Sequence, residues 1–321
     1  MGLALGDSLG MPIEFDSLDT IHAKYGLSGV TSLSASAQFT DDTEMTLAVT
    51  RALIRLTTVE RILKTDPDEI GIIFAEEFIE WMKNPGFAPG NTCMSSVYNL
   101  KRNGVSSWKT SGKNNSKGCG TVMRAAPIGI WFAEAIKEEL KYQTGPVHQK
   151  LIEISSIQSR ITHGHQSATA SALAGSYAVS LAYHDISPRE IIEPINTLCS
   201  SIHPDFQASL KQLQEVIAAD QKGEFDSEAE AIETLGQGWV AEEAFVMALY
   251  SVIKHPTDFI ACLTTAVNHS GDSDSVGCIA GSIIGTLNGI DSMPIKWIEQ
   301  LQEHQRVEDC VNSVLNILKK D

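Results

Sequence analysis

The sequence predicts an all-α fold in one compact, multi-helix domain spanning residues 1–321. Apolar residues recur at helical spacing, as in the segment after Asp42, where one face carries Met45, Val49, Ala52, Leu53 and Leu56. Alternating strand patterns followed by tight turns are scarce. No Pro- or Gly-rich linker interrupts the chain, which favours one domain over two.

Helical periodicity continues along most of the chain. The C-terminal segment repeats it with Val307, Val311, Val314, Leu315 and Leu318. The most apolar segments, Ala168–Tyr183 and Val276–Ile290, are interrupted by Ser, Gly and Asn, so they indicate buried helices and not membrane spans. Further helices are predicted, in chain order, at Asp68–Met82, Thr92–Arg102, Val147–Ile161, Ser167–Tyr183, Pro188–Ser201, Asp205–Asp220, Ala241–Ile253 and Thr257–Val267.

The charge and cysteine content disfavour several classes of protein. The 40 acidic residues outnumber the 24 basic ones, which gives a formal net charge of -16. This excess disfavours binding to duplex nucleic acid or to an anionic membrane surface, because both need clustered basic side chains. The N-terminus lacks the basic region of a secretory signal, and the six cysteines form no CxxC pair. We therefore expect reduced thiols in the cytoplasm.

A short acidic segment, Phe39-Thr40-Asp41-Asp42-Thr43, precedes the first long predicted helix. Thr40 or Asp41 alone is explained as a helix cap. Two adjacent carboxylates behind a hydroxyl exceed what a cap requires. The segment is therefore a candidate functional cluster, with capping as the alternative.

A second acidic segment, Ser270–Ser275, precedes the apolar helix near the C-terminus. Asp272, Asp274 and Gly277 match positions 1, 3 and 6 of a calcium-binding EF-hand loop. Apolar residues stand at two other positions where that loop needs oxygen ligands, so the EF-hand assignment fails.

The two acidic segments share a composition of two carboxylates and a hydroxyl at a helix entrance. If they meet in space, four carboxylates in a confined site repel one another, and two divalent cations would neutralise them. Oxygen ligands suit hard cations such as Mg²⁺ or Mn²⁺. Two ions about 3.5–4 Å apart orient and activate a water in binuclear hydrolases. Spacing alone leaves a solvated acidic surface as the alternative.

Six short segments carry a resemblance to a known family. They are Gly2–Gly10, Phe39–Thr43, Gly118–Gly129, Ile161–His163, Gly236–Ala244 and Gly271–Ser275. Each alone is a common kind of glycine-rich or acidic turn, but together they cover nearly the whole chain. In this order they resemble the ADP-ribosylglycohydrolases.

The resemblance implies an all-α domain whose central cleft holds two Mg²⁺ or Mn²⁺ ions. The metal ligands it implies are Thr40, Asp41, Asp42, Asp272, Asp274 and Ser275. It also implies hydrolysis of the C1″ glycosidic bond of a protein-linked ADP-ribose, with release of ADP-ribose. The catalytic residues expected for this reaction are Glu14, Asp41, Asp42 and Asp274.

The linkage that is cleaved remains open at this point. Serine at position 275, where many members of the family carry threonine, favours an arginine linkage. A serine-linked or other O-linked substrate is one alternative, and a non-catalytic ADP-ribose-binding protein on the same fold is another. The intact carboxylates argue against the binding protein.

Substrate contacts are expected from the loop that contains Asn115, Ser116, Lys117, Gly118 and Gly120. Its backbone N–H groups and one lysine charge suit a diphosphate, with a flexible surface loop as the alternative. His163 is expected to donate a hydrogen bond in the cleft, and Trp239 to line its nucleoside side. Asp7 is expected to fix a loop by accepting backbone hydrogen bonds, and Arg124 to pair with a buried carboxylate.

Overall fold

The computed structural model describes residues 1–319 and confirms the all-α prediction. Within that range the chain forms α-helices joined by turns and short 3₁₀ segments, and its few β-bridges are isolated. The helices are α1 (Gly2–Gly10), α2 (Leu18–Tyr25), α3 (Asp41–Leu56), α4 (Val59–Lys64), α5 (Pro67–Trp81), α6 (Asn91–Asn103), α7 (Trp108–Ser111), α8 (Ala126–Leu140), α9 (Pro146–Arg160), α10 (Gln166–Tyr183), α11 (Ile192–Cys199), α12 (Pro204–Gln221), α13 (Glu228–Glu233), α14 (Ala241–Lys254), α15 (Phe259–Val267), α16 (Ser273–Asn288), α17 (Ile295–Gln300) and α18 (His304–Leu318).

Most predicted helices are found within two residues of their expected ends, and the differences at α11 and α15 have local causes. Helix α11 is shorter than expected because Pro194 has no N–H to donate to residue 190, so the regular helix begins only just before it. Helix α15 begins later than expected because Asp258 caps it, its Oδ1 accepting from the Ala261 N–H at 2.9 Å. Helix α8, with Pro127 in its first turn, is an addition to the helices expected from periodicity.

Helices α1 and α16 are in backbone-to-backbone contact. Glycines recur every fourth residue on the facing sides of both helices. A Cβ atom on Gly6 would lie 2.0 Å from the carbonyl oxygen of Gly277, and one on Gly2 would lie 2.4 Å from that of Gly281. A Cβ on Gly10 would likewise collide with the Ser273 carbonyl. This glycine seam brings the C-terminal end of α1 against the first turn of α16.

Helix α10 forms the centre of the core. It packs against α8, α9, α14 and α16, and almost all of its residues are buried. Its buried serines satisfy their hydroxyls on carbonyl oxygens, for example Ser180 Oγ donating to Gly129 O at 2.8 Å. None of the helices in residues 1–319 combines the length and apolar composition needed to cross a bilayer. All six cysteines are free thiols.

Candidate active site and metal centre

The two acidic segments meet at the converging N-termini of α3 and α16. Thr40 caps α3, its Oγ1 accepting from the Asp42 N–H at 3.3 Å. Ser275, in the first turn of α16, donates from Oγ to Asp42 Oδ1 at 2.8 Å, across 233 positions of sequence. Both helix N-termini direct positive dipole ends at these carboxylates, which partly offsets the cost of their burial.

The carboxylates at this junction share one enclosed space. One oxygen from each of Glu14, Asp272 and Asp274 lies within 4.8 Å of the others, and Asp41 and Asp42 face the same group from α3. Glu14 is half-buried and the four aspartates are buried. No lysine, arginine or histidine in residues 1–319 forms an ion pair with any of the five.

Because none of them has an ion-pair partner in the described part of the chain, the pKa values of these acids are raised. The pKa of Asp41, Asp42 and Asp272 is raised well above its ordinary value. Burial is the largest cause, and repulsion from Asp274 is the second. Burial followed by repulsion from Asp274 and Asp272 raises the pKa of Glu14 to about 9. Carboxylates held together this way need protons or cations.

Asp7 supports the junction from behind, as expected. Its Oδ1 accepts from the Thr40 N–H at 3.0 Å, and its Oδ2 accepts from the Thr43 N–H at 3.1 Å. Burial and the nearby Asp274 raise its pKa to about 7. Asp7 therefore fixes the start of α3 relative to the glycine seam.

Glu14 is positioned by the residue that follows it. The Phe15 N–H donates to Gly271 O at 3.2 Å, and the Gly271 N–H donates to Asp16 O at 3.3 Å. Phe15 has a φ of 73°, and its ring stacks on Trp239 with 5.2 Å between centroids and 20° between planes. The backbone ladder and the stacked rings hold the Glu14 segment against the second acidic segment.

The loop at 113–120 forms the wall of the site beside Asp272 and Ser275, which its Cys119 contacts. The Cys119 N–H donates to Trp239 O at 3.2 Å, and the Ala241 N–H donates to Lys117 O at 2.8 Å. On its other side, the Lys113 N–H donates to Thr162 O at 3.0 Å. Within residues 1–319, the N–H groups of Asn115, Lys117 and Gly118 have no protein acceptor.

The side chains of the loop at 113–120 differ in exposure and in their polar contacts. Asn115 is exposed, and Ser116 Oγ lies 3.1 Å from Thr92 Oγ1. The Lys117 ammonium donates to Asp205 Oδ2 at 2.9 Å and to Glu242 Oε1 at 2.5 Å. Its charge is therefore shared with two carboxylates before any substrate arrives.

His163 lies beneath the two loop glycines. It is only 2% exposed, and its Nδ1 is 2.8 Å from Thr162 Oγ1. A Cβ on Gly118 would lie 3.1 Å from His163 Nε2, and one on Gly120 would lie 3.0 Å from Cε1. Burial, and after it the Arg124 charge, lowers the His163 pKa to about 3, so the ring is neutral.

Arg124 does not pair with a carboxylate, and that expectation is wrong. Its Nε donates to Gln158 Oε1 at 2.7 Å, and its Nη2 donates to Gln158 O at 2.8 Å and Thr162 Oγ1 at 2.7 Å. The guanidinium is fully buried and stacks over Phe78 at 4.5 Å. Neutral acceptors satisfy its planar donors, so no buried anion is needed.

A second group of possible metal ligands, His165, His203 and Asp205, lies beside the loop. Each imidazole caps a helix, with Nδ1 accepting from Ser167 N–H or Asp205 N–H. An accepting Nδ1 leaves the proton of a neutral ring on Nε2, where it blocks metal binding. The Lys117 ammonium already occupies Asp205. This group is accounted for as helix caps.

Two residues at the site were not anticipated. Cys119 Sγ lies 2.8 Å from Asp272 Oδ2 and 3.5 Å from Ser275 Oγ. Phe15 forms the stacked pair with Trp239. In the sequence, the signals for these residues are a cysteine between two glycines and an aromatic residue directly after Glu14. Neither signal reveals the contact partner, which lies more than 150 residues away.

A model of the ADP-ribosylglycohydrolase family matches residues 1–321 of this chain. The chain belongs to the ADP-ribosylglycohydrolase family. The six segments that carried the resemblance therefore belong to a family pattern that spans the whole sequence.

Individual relatives agree with this assignment. The chain is 28% identical to ADP-ribosyl-[dinitrogen reductase] glycohydrolase of Rhodospirillum rubrum, over 94% of this chain and 88% of that protein. It is 22% identical to ADP-ribosylarginine hydrolase Tri1 of Serratia proteamaculans, over 98% and 77%. The fold matches a solved structure described as an ADP-ribosylglycohydrolase-related protein complex, with a TM-score of 0.70, 19% identity, and coverage of 98% of this chain and 95% of that one.

Family membership establishes the general chemistry. The chain is an ADP-ribosylglycohydrolase, a hydrolase that acts on glycosidic bonds. The family acts on ADP-ribosylated protein substrates, produces ADP-ribose and is generally metal-dependent.

Proposed function

We propose that this enzyme removes ADP-ribose from a modified arginine side chain of a protein, with the help of two Mg²⁺ or Mn²⁺ ions. One observation carries the proposal: Glu14 and the four aspartates of two distant segments converge on one space, and none of the five has a basic partner among residues 1–319. The proposed location is the cytoplasm, for which the six free thiols are the support.

The donor set fits two hard divalent cations. The residues that would hold them are Thr40, Asp41, Asp42, Asp272, Asp274 and Ser275, which offer carboxylate and hydroxyl oxygens. Four aspartate charges match the four positive charges of two such ions. When bound, the ions supply Lewis-acid activation of the attacking water and anchoring of the ribose hydroxyls.

Glu14 is proposed as the general base. It is the least buried of the five acids and is placed at the cleft by the Phe15–Gly271 hydrogen bond. Its carboxylate would accept the proton of the water that attacks C1″, once bound cations offset the repulsion from Asp274 and Asp272 that raises its pKa. Asp41, Asp42 and Asp274 would stabilise the positive charge that develops on the ribose.

The loop at 113–120 is proposed to bind the diphosphate. The N–H groups of Asn115, Lys117 and Gly118, which have no acceptor within residues 1–319, are suitable donors, and Ser116 and Gly120 complete this wall. The positive charge of Lys117 would also attract the diphosphate, although its ion pairs with Asp205 and Glu242 weaken this attraction. His163 would act by supporting the loop, since it is buried beneath it, and Trp239 with Phe15 would offer an aromatic face to the nucleoside.

Two observations favour arginine as the modified residue. Ser275 supplies the hydroxyl at the last ligand position, and the relatives include a protein named as an ADP-ribosylarginine hydrolase. A serine-linked or other O-linked substrate is the second candidate. A non-catalytic binder of ADP-ribose is disfavoured, because it would gain nothing from five mutually repelling acids.

Release of ADP-ribose from defined substrates tests the proposal. The protein is incubated with arginine-linked and serine-linked ADP-ribosylated proteins, with Mg²⁺ or with EDTA. Faster Mg²⁺-dependent release from the arginine linkage is expected. Release from neither linkage would overturn the hydrolase function, faster release from serine would overturn the linkage, and release that persists in EDTA would overturn the metal requirement.

A further inference from the structure

Cys119 brings sulfur into a site otherwise built from oxygen. Its Sγ lies 2.8 Å from Asp272 Oδ2 and 3.5 Å from Ser275 Oγ. Asp272 and Ser275 are both proposed metal ligands on the α16 side of the centre. The sulfur therefore lies next to two proposed metal ligands.

A second sulfur atom approaches the same hydroxyl. Met123 Sδ lies 3.9 Å from Ser275 Oγ, and the Met123 side chain is buried. On the α3 side, Asp41 and Asp42 have no cysteine sulfur in hydrogen-bond contact within residues 1–319. The α16 side of the centre thus offers soft sulfur atoms as well as oxygen atoms, whereas the α3 side offers hard oxygen atoms.

The uncompensated carboxylates provide the independent evidence for a cation here. Asp272 and Asp274 are buried without any basic partner among the described residues. Thiolate and thioether sulfur select softer divalent cations, whereas carboxylate and hydroxyl oxygens select Mg²⁺ and Mn²⁺.

We propose that Cys119 is a further metal ligand on the α16 side of the centre, so that this position binds thiophilic divalent cations, such as Co²⁺, Zn²⁺ or Cd²⁺, more tightly than its oxygen ligands alone would. This inference rests on the proposed two-cation function. Coordination would form one metal–sulfur bond through Sγ and release the thiol proton to solvent. The α3 side keeps oxygen ligands only.

Absorption spectroscopy with Co²⁺ tests this ligand directly. The full-length protein is freed of metal with EDTA, transferred to buffer without chelator and titrated with Co²⁺. A thiolate-to-cobalt charge-transfer band in the near ultraviolet is expected, together with the visible bands of bound Co²⁺. Cys119→Ser should lose the charge-transfer band and keep the visible bands, while Cys310→Ser, a change on the distant α18, should keep both.

Binding affinities give a quantitative counterpart. Cys119→Ser is expected to weaken Cd²⁺ binding about tenfold or more, the range typical of losing a group that holds a metal. Mg²⁺ binding should be unchanged. In the unaltered protein, Cd²⁺ should protect Cys119 from iodoacetamide, followed by peptide mass, and Mg²⁺ should not.

The outcomes separate this proposal from the function on which it rests. Visible Co²⁺ bands without a charge-transfer band in the unaltered protein would overturn the role of Cys119 and leave the two-cation function standing. A charge-transfer band that persists in Cys119→Ser would also overturn it. Absence of any Co²⁺, Cd²⁺ or Mg²⁺ binding would overturn both.

Discussion

Ser275 Oγ donates a hydrogen bond to Asp42 Oδ1 at 2.8 Å and so joins the first turn of α16 to the first turn of α3. Each partner also belongs to its own acidic segment. The contact therefore fixes the separation of the two segments from side chains that are themselves proposed metal ligands. Ligands held in place by such a hydrogen bond favour tight and specific cation binding.

Asp274 is the carboxylate that perturbs its neighbours most. Asp274→Asn should reduce ADP-ribose release by about a thousandfold or more, because it removes a ligand charge that contributes several kcal/mol. In EDTA the same change should raise Tm, since it removes one of the repelling charges. For domains of about 150–250 residues, each kcal/mol of added unfolding free energy raises Tm by about 2–4 °C. Calorimetry with and without Mg²⁺ measures both effects. A Tm that falls in EDTA would contradict the repulsion argument.

Stability of the cation-free protein should fall as pH rises. The folded-state pKa is about 7 for Asp7 and about 9 for Glu14, above ordinary values of 3.8 and 4.5. The folded state thus binds more protons than the unfolded state, and its advantage is lost as pH passes through 7 and then 9. Tm measured in EDTA across this range should decline.

Two controls accompany the pH experiment. Mg²⁺ should flatten the decline because it replaces the protons on the carboxylates, and Glu14→Gln should reduce the decline between about pH 7 and 9, to which Glu14 contributes. A Tm in EDTA that stays constant or rises with pH would refute the raised pKa values.

Lys117 is expected to have separable structural and substrate roles. Glu242 has a side chain only 3% exposed, so Lys117→Met should destabilise the fold by about 3 kcal/mol through an unpaired buried charge. The double variant Lys117→Met with Glu242→Gln should regain that stability but keep a raised KM for an ADP-ribosylated substrate. Denaturant unfolding and steady-state kinetics distinguish the two roles. A normal KM in the double variant would exclude Lys117 from diphosphate binding.

Trp239 should affect substrate binding more than turnover, because the backbone hydrogen bonds of Phe15 and Asp16 with Gly271 still hold the Glu14 segment. Trp239→Ala removes an aromatic face worth about 1 kcal/mol beyond its buried area, so KM should rise about five- to tenfold. Tyr98→Ala, which removes an exposed ring from α6, is the matched control. An unchanged KM in Trp239→Ala would argue against a nucleoside contact at the stacked pair.

The sequence allowed the helical class and both acidic segments to be predicted, because helical periodicity and clustered carboxylates are local signals. Their meeting was a hypothesis from spacing, since nothing local links Asp42 to Ser275. The predicted carboxylate partner of Arg124 is wrong because Gln158 and Thr162, which come close only through packing, supply neutral acceptors instead. The contacts of Cys119 and Phe15 depend on chain packing, so they emerged only from the structure.

The glycine seam between α1 and α16 limits how this enzyme can diversify. Because main-chain atoms touch directly at Gly6 and Gly277, an added methyl group there must push the helices apart and move Asp7 and Asp274 with them. Fold stability and ligand geometry therefore cannot vary independently on this side of the cleft. New substrate preferences are accessible through the other wall, where the loop at 113–120 and Trp239 can change without disturbing the helix pair.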